Sequence, residues 1–377
     1  MAPGAPPRGP SRGAKVIQIC FKSFKAVKKI ISTALKYLIP LAIGLGLIYF
    51  LYKNVDAGQM RAVLAADVNY LWFLPVIVVS VLSHVFRACR WRLQLRAIGV
   101  EAPLSAVINS IFGTYAVNLI FPRLGEVWRT GYIASRQSAS FTTVLGSMVA
   151  DRLTDTVTVL VLTVVTFFVA SDAFWKFLST YPQMLESVEN LLTSPWTWAC
   201  AVVCVAAVWW LFTHKANNHV VAKVKGMAAN LWRGFSGVAK MEGKWWFLLY
   251  TALIWGCYFM QLYIATFAFT FTSDLGLVAT LVLFVLSSIG MGVPTNGGLG
   301  AWHVAIIFGL SLYGVGTFDP SCFDTNASAF AMLVWGVQAL LLIVLGVFAF
   351  SYMAIDRRRI RQGKTVVKSS GQGGMSL

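Results

Sequence analysis

Apolar residues run along this chain in long blocks separated by short polar or basic connectors. The blocks fall at about 34–52, 70–86, 104–121, 142–170, 196–212, 245–271, 275–293, 301–313 and 327–353. Blocks of this length predict membrane helices rather than strands or soluble core helices. Two breaks stand out. The first reads Pro122-Arg123-Leu124-Gly125-Glu126 and the second reads Pro294-Thr295-Asn296-Gly297-Gly298-Leu299-Gly300. A helix broken at bilayer depth leaves backbone groups without partners, so it is expected only where it lines a polar cavity. A matched pair of breaks, one in each half, points to a transport site.

The flanks have a different pattern. Residues 1–14, rich in Pro, Gly and Arg, predict a disordered tail. Over 15–33, Ile17, Cys20, Phe24, Val27 and Ile31 share one helical face while Lys22, Lys25, Lys28 and Lys29 lie off it. That is a basic amphipathic helix for an anionic membrane surface. Val220, Val224, Met227, Leu231, Phe235 and Val238 form a second such stripe. Residues 34–355 are read as one transmembrane domain with halves at about 34–170 and 195–353, followed by a basic tail over 356–377.

Composition excludes a soluble fold: of 377 residues, 58% are hydrophobic and 12% charged. A net charge of +17 would suggest nucleic acid in a soluble protein, but here the Lys and Arg residues cluster beside apolar blocks. No nucleic-acid partner is expected. Placing both termini in the cytoplasm puts most basic residues inside, among them Arg87, Arg90, Arg92 and Arg96 at the end of the block over 70–86. The outside then receives Asp56, Asp67, Asp172, Glu186, Glu189, Asp274, Asp319 and Asp324. This sorting works with six full spans and with each broken segment dipping in and returning as a re-entrant hairpin. The expected fold is therefore an all-α, polytopic transmembrane helical bundle in inverted-repeat arrangement. The six cysteines have no metal spacing with His and read as small hydrophobes. No metal site, cofactor or catalytic signature is expected.

Three regions carry candidate chemistry. Asp151, Arg152 and Asp155 lie deep in an apolar block, about 14 Å from its start at 1.5 Å per residue, where ionisable groups are functional by default. A cluster that only locks helices together is the alternative for them. Arg123, Glu126 and Arg129 flank the first break. Arginine matches phosphate in a bidentate way, and a half-helix start adds oriented N–H groups. Positive-inside charge is the alternative for these arginines, and the preferred reading for Arg136. At the second break, Gly297, Gly298 and Gly300 permit close backbone approach, Asn296 both donates and accepts, and His303 is expected to titrate near neutral pH.

The run Pro122-Arg-Leu-Gly-Glu-Val-Trp-Arg129, then Asp151-Arg-Leu-Thr-Asp155, then Pro294 to Gly300, resembles the flippase-like integral membrane family that shares the transmembrane domain of lysylphosphatidylglycerol synthase. The resemblance covers about residues 35–355. It implies a bacterial inner-membrane protein that moves an aminoacylated phospholipid or handles a polyprenyl-phosphate carrier. Aminoacyl transfer belongs to a soluble domain of two-domain relatives that has no counterpart here, so no enzyme activity is implied. Two positions depart from the family pattern. Gly often stands where Arg123 or its neighbour does, and an acid often follows the Gly-Gly-Leu-Gly where this chain has Trp302-His303. The expected function is translocation of an anionic or phosphate-bearing lipid. Arg123, Arg129 and Arg152 would hold the phosphate; Asp151 and Asp155 would balance Arg152 or take a cationic moiety. The alternatives are a membrane-embedded transferase acting on such a lipid and a small-solute permease. The expected partners are membrane lipids, with self-association allowed.

Overall fold

The computed structural model describes residues 41–172, 193–213, 243–319 and 322–362, with isolated positions between them. The expected tail over 1–14, the interfacial helices over 15–33 and 220–238, and most of the basic C-terminal tail lie outside the described residues.

The described residues form helices and no strand; Val68 and Phe269 make one isolated antiparallel bridge. In chain order the helices are α1 (Leu41–Tyr52), α2 (Ala57–Ala66), α3 (Phe73–Ala97), α4 (Leu104–Ile120), α5 (Leu124–Arg136) and α6 (Phe141–Val169). Then come α7 (Pro195–Thr213), α8 (Lys244–Thr266), α9 (Gly276–Gly290), α10 (Ala301–Leu312) and α11 (Thr325–Arg361). Four of them are long and apolar enough to cross a bilayer: α3 with its leading turn, α6, α8 and α11. Exposed apolar side chains line α6 at Val157, Leu160, Val161, Val164 and Phe168, and α11 at Leu340, Ile343, Val344 and Val347, as surfaces facing hydrocarbon would.

Local chemistry sets the boundaries. Asp56 caps α2 by accepting from the backbone N–H of Gly58 at 2.7 Å and of Gln59 at 3.2 Å, and Asp324 caps α11 through Ala327 N–H at 3.0 Å. Helix α4 stops at Phe121, whose φ of −125° and ψ of 107° are the extended values that a following proline enforces. The chain turns through Arg123 in the left-handed region (φ 60°) and restarts at once as α5. The stretch expected as a polar connector is thus mostly helix. Its first turn needs acceptors for orphan N–H groups, and Asn118 reaches back to take the N–H of Gly125 at 2.8 Å.

Helices α4 and α5 pack on each other, as do α9 and α10, making two helix–break–helix hairpins. The first hairpin opens at one end of the bundle. There Gln137 donates to the Glu101 carbonyl, Arg92 to the Ala102 carbonyl at 3.1 Å, and Tyr352 near the end of α11 to Ser105 at 2.8 Å. The second opens at the other end of α11, where Asn69 N–H donates to the Ala268 carbonyl at 2.8 Å and Tyr52 to the Ser328 carbonyl at 3.1 Å. Each hairpin has its own apolar core. Trp91, Leu95, Ile111, Ile133 and Val144 surround the first; Phe73, Leu283, Ile306, Leu310 and Phe330 surround the second.

Candidate functional site

The two breaks meet. Asn296 donates from Nδ2 to the Ile120 carbonyl at 2.6 Å and to the Leu119 carbonyl at 3.4 Å, filling acceptors that α4 leaves open at its end. In the opposite direction, Arg123, although exposed, donates from Nη2 to the Gly292 carbonyl at 2.7 Å. Trp335 of α11 secures the second break by donating to the Gly297 carbonyl at 3.0 Å. Gly297, Gly298 and Gly300 all have positive φ (58°, 78° and 81°). At Gly300 a Cβ would also collide with Leu47, so both dihedral and space require glycine there.

Beside this junction lies a buried ion cluster built from α3, α5 and α6. Asp151 and Asp155, one turn apart on α6, face Arg87 and Arg90 on α3. Arg90 Nη2 lies 2.7 Å from Asp151 Oδ1 and 2.7 Å from Asp155 Oδ1, and Arg87 Nη1 lies 2.6 Å from Asp155 Oδ2. Arg129 of α5 adds a pair to Asp151 Oδ2 at 3.3 Å and stacks over Trp91, its guanidinium carbon 4.4 Å from the ring centroid. Tyr258 accepts from Arg87 Nε at 3.3 Å and pairs with Tyr115 at 3.3 Å. Arg152 points elsewhere: its Nη2 meets Glu126 Oε1 at 2.9 Å, while its Nη1 is 3.7 Å from Asp155. Glu126 also accepts from Asn118 at 3.3 Å.

This geometry corrects four expectations. Arg87 and Arg90 were assigned to the cytoplasmic rim at the end of a span closing at Phe86. Helix α3 continues unbroken to Ala97 and buries both in the cluster, at 3% and 0% side-chain exposure. Asp151 and Asp155 are not free for a cationic moiety, because Arg87, Arg90 and Arg129 already hold them. Arg136 is no solvated flanking charge; its Nε lies 2.7 Å from Asp356 of α11 in a nearly buried pair. His303, expected to titrate near neutral pH, is buried against the rings of Tyr52, Trp302 and Trp335, the last with centroids 5.4 Å apart, and its Nδ1 finds no hydrogen-bond partner among the described residues.

Of the expected site residues, Arg129, Asp151, Arg152, Asp155 and Glu126 come together in the cluster. Arg123, Asn296, Gly297, Gly298 and Gly300 come together at the junction of the breaks. His303 stands apart in its aromatic surround. Arg87 and Arg90 were missed, and a signal for them existed. Ser80, Ser83, His84, Arg87, Arg90 and Gln94 form a polar stripe at helical spacing, and that face of α3 is the buried one.

Such a fold, with paired hairpins from opposite ends of an apolar bundle and buried charge at their meeting point, is that of an integral membrane protein. The family model described as lysylphosphatidylglycerol synthase TM region matches residues 37–346, and the chain belongs to that family. Comparison with curated proteins and with solved structures gives no match.

Proposed function

We propose that the protein is a lipid translocase. The polar headgroup of an anionic or phosphate-bearing lipid crosses at the junction of the two hairpins, and the acyl chains stay in hydrocarbon. In this reading each hairpin is re-entrant, dipping from its own side of the membrane, and the long helices are full spans. The observation that carries it is the meeting of the two broken-helix tips beside a buried Arg–Asp cluster. Irregular backbone and charge at such depth are tolerated where they serve a polar path. Guanidinium groups, with fixed forks of N–H donors, suit phosphate oxygens. The reading assigns no catalytic step, since the cluster carboxylates already sit on arginines. It places the protein in a bacterial inner membrane with both termini in the cytoplasm and membrane lipids as its partners.

The test is lipid scrambling between leaflets of proteoliposomes holding the full chain. Arg152→Ala and Asp155→Asn are expected to reduce transport. Undiminished transport in both removes the proposed path. A cysteine placed beside Asp319 is expected to label from the side opposite the termini; labelling from the same side removes the topology.

A further inference from the structure

The ion cluster is unevenly satisfied. On its inner side Arg87, Arg90, Asp151 and Asp155 interlock, with side-chain exposures of 3%, 0%, 0% and 12%. Toward the junction the bonding thins. Arg129 is fully buried, yet its Nε and Nη1 find no hydrogen-bond partner among the described residues, and neither does Arg152 Nε. Arg152 is also the accessible member, at 34% exposure against 15% for its partner Glu126.

Charge points the same way. Four arginines (87, 90, 129 and 152) face three carboxylates (126, 151 and 155), which leaves one positive charge in excess. A cationic group entering here would find every carboxylate held by an arginine at 2.9 Å or less. A phosphate would find unused N–H donors on Arg129 and Arg152. Among these ion pairs, Arg152–Glu126 is the one exposed enough to exchange, because solvent screens such a pair and makes it weak. Helix α5 does not depend on it, since its start is held by Asn118 on the N–H of Gly125.

We propose that the Arg129–Arg152 edge of the cluster is an anion site that takes a lipid phosphate and rejects a cationic headgroup. The Glu126 carboxylate, 2.9 Å from Arg152, is the internal competitor for that site. The lipid origin of the phosphate rests on the translocase reading; the competition between Glu126 and an anion does not.

The experiment measures binding to the purified full chain in detergent micelles. The probes are inorganic phosphate, short-chain phosphatidic acid and lysyl-phosphatidylglycerol. Phosphatidic acid is expected to bind more tightly than the other two. Glu126→Gln keeps the shape and the acceptor for Asn118 and removes the competing charge. It is expected to tighten phosphatidic acid binding by about two- to fivefold, the scale of a partly exposed ion pair. Glu126→Asp, one methylene short of Arg152, should shift binding the same way by less. In an Arg152→Gln background, Glu126→Gln should have no effect. Unchanged or weaker binding in both Glu126 variants overturns the competitor role. Tighter binding of the lysyl lipid overturns the anion preference, and equal affinity for inorganic phosphate overturns the lipid origin. Scrambling in vesicles is read separately. Phosphate binding without transport removes the translocase reading and supports the anion site; transport that favours the lysyl lipid does the reverse.

Discussion

The two hairpins solve the same problem with different chemistry. The first turns in three residues, 121–123, and surrounds its break with charge. The second takes ten residues, 291–300, and surrounds its break with glycine and aromatic rings. In the first, an orphaned N–H is met by a polar side chain of the same hairpin, as Asn118 meets Gly125. In the second they are met from outside, by Trp335 of α11, while Asn296 of the break itself reaches out to the end of α4. A break of the first kind holds charge at depth. A break of the second kind brings backbone close to its neighbours. A path for a charged headgroup needs both properties, and the contacts between the tips join them.

The largest test of this contrast is the removal of one buried polar group from each hairpin's surroundings. Asp151→Ala leaves Arg129 buried without its carboxylate, takes one of Arg90's two, and is expected to cost about 3–5 kcal/mol, the usual penalty for halving a buried ion pair. His303→Leu removes a buried ring whose Nδ1 has no partner among the described residues and is expected to stay within about 1 kcal/mol. Denaturant unfolding in micelles, followed by tryptophan fluorescence, measures both. Equal losses would mean that the second hairpin carries as much polar energy as the first, and the contrast would fail.

Next come the glycines. Gly125 has ordinary helical geometry, but a Cβ there would strike the Thr114 backbone carbonyl and the capping Asn118. Gly125→Ala is expected to cost about 1–3 kcal/mol through overpacking. Gly300→Ala is expected to cost a similar amount, about 1–3 kcal/mol, but mainly through its φ of 81°. The two mechanisms separate on trimming the neighbour. The closest obstacle is the Cβ of Leu47, so Leu47→Gly relieves the contact without changing the dihedral; in that background Gly300→Ala should recover only a minor part of its loss. Full rescue would show that crowding, rather than backbone conformation, sets this glycine.

How much of this was legible in the sequence follows from the same contrast. Breaks are written locally: proline and glycine act within a residue or two, so both breaks could be read from the chain, whereas the length of α5 could not, because its polar composition also fits a connector. The cluster is not local. Asp151 and Asp155 announce themselves by lying inside an apolar block, whereas Arg87 and Arg90 sit where an apolar block gives way to arginine. A basic run at the end of a membrane span ordinarily marks the water interface. Only the polar stripe from Ser80 to Gln94 separates a buried arginine from a rim arginine, because a rim charge has no reason to share a face with Ser83 and His84. The link between Asn296 and Ile120 spans 176 residues and has no sequence signal.

The smallest expected effect bears most directly on whether the hairpins act as one unit. Asn296→Ala removes the bond to the Ile120 carbonyl and should cost about 1 kcal/mol, the net worth of a typical hydrogen bond. Arg123→Ala removes a bond from a charged donor to the Gly292 carbonyl and should also cost up to about 1 kcal/mol on its own. These two bonds run in opposite directions across one junction, so their losses should not add. Once Asn296→Ala lets the tips part, Arg123 has no fixed acceptor left to lose. A double-mutant cycle should therefore give a nonzero coupling, whereas sites that share no element are additive within about 0.5 kcal/mol. Additivity would mean that each hairpin holds its break alone and that the contact between the tips is incidental. Coupling would mean that a change at the charged break is felt at the glycine break, as a headgroup passing from one to the other requires.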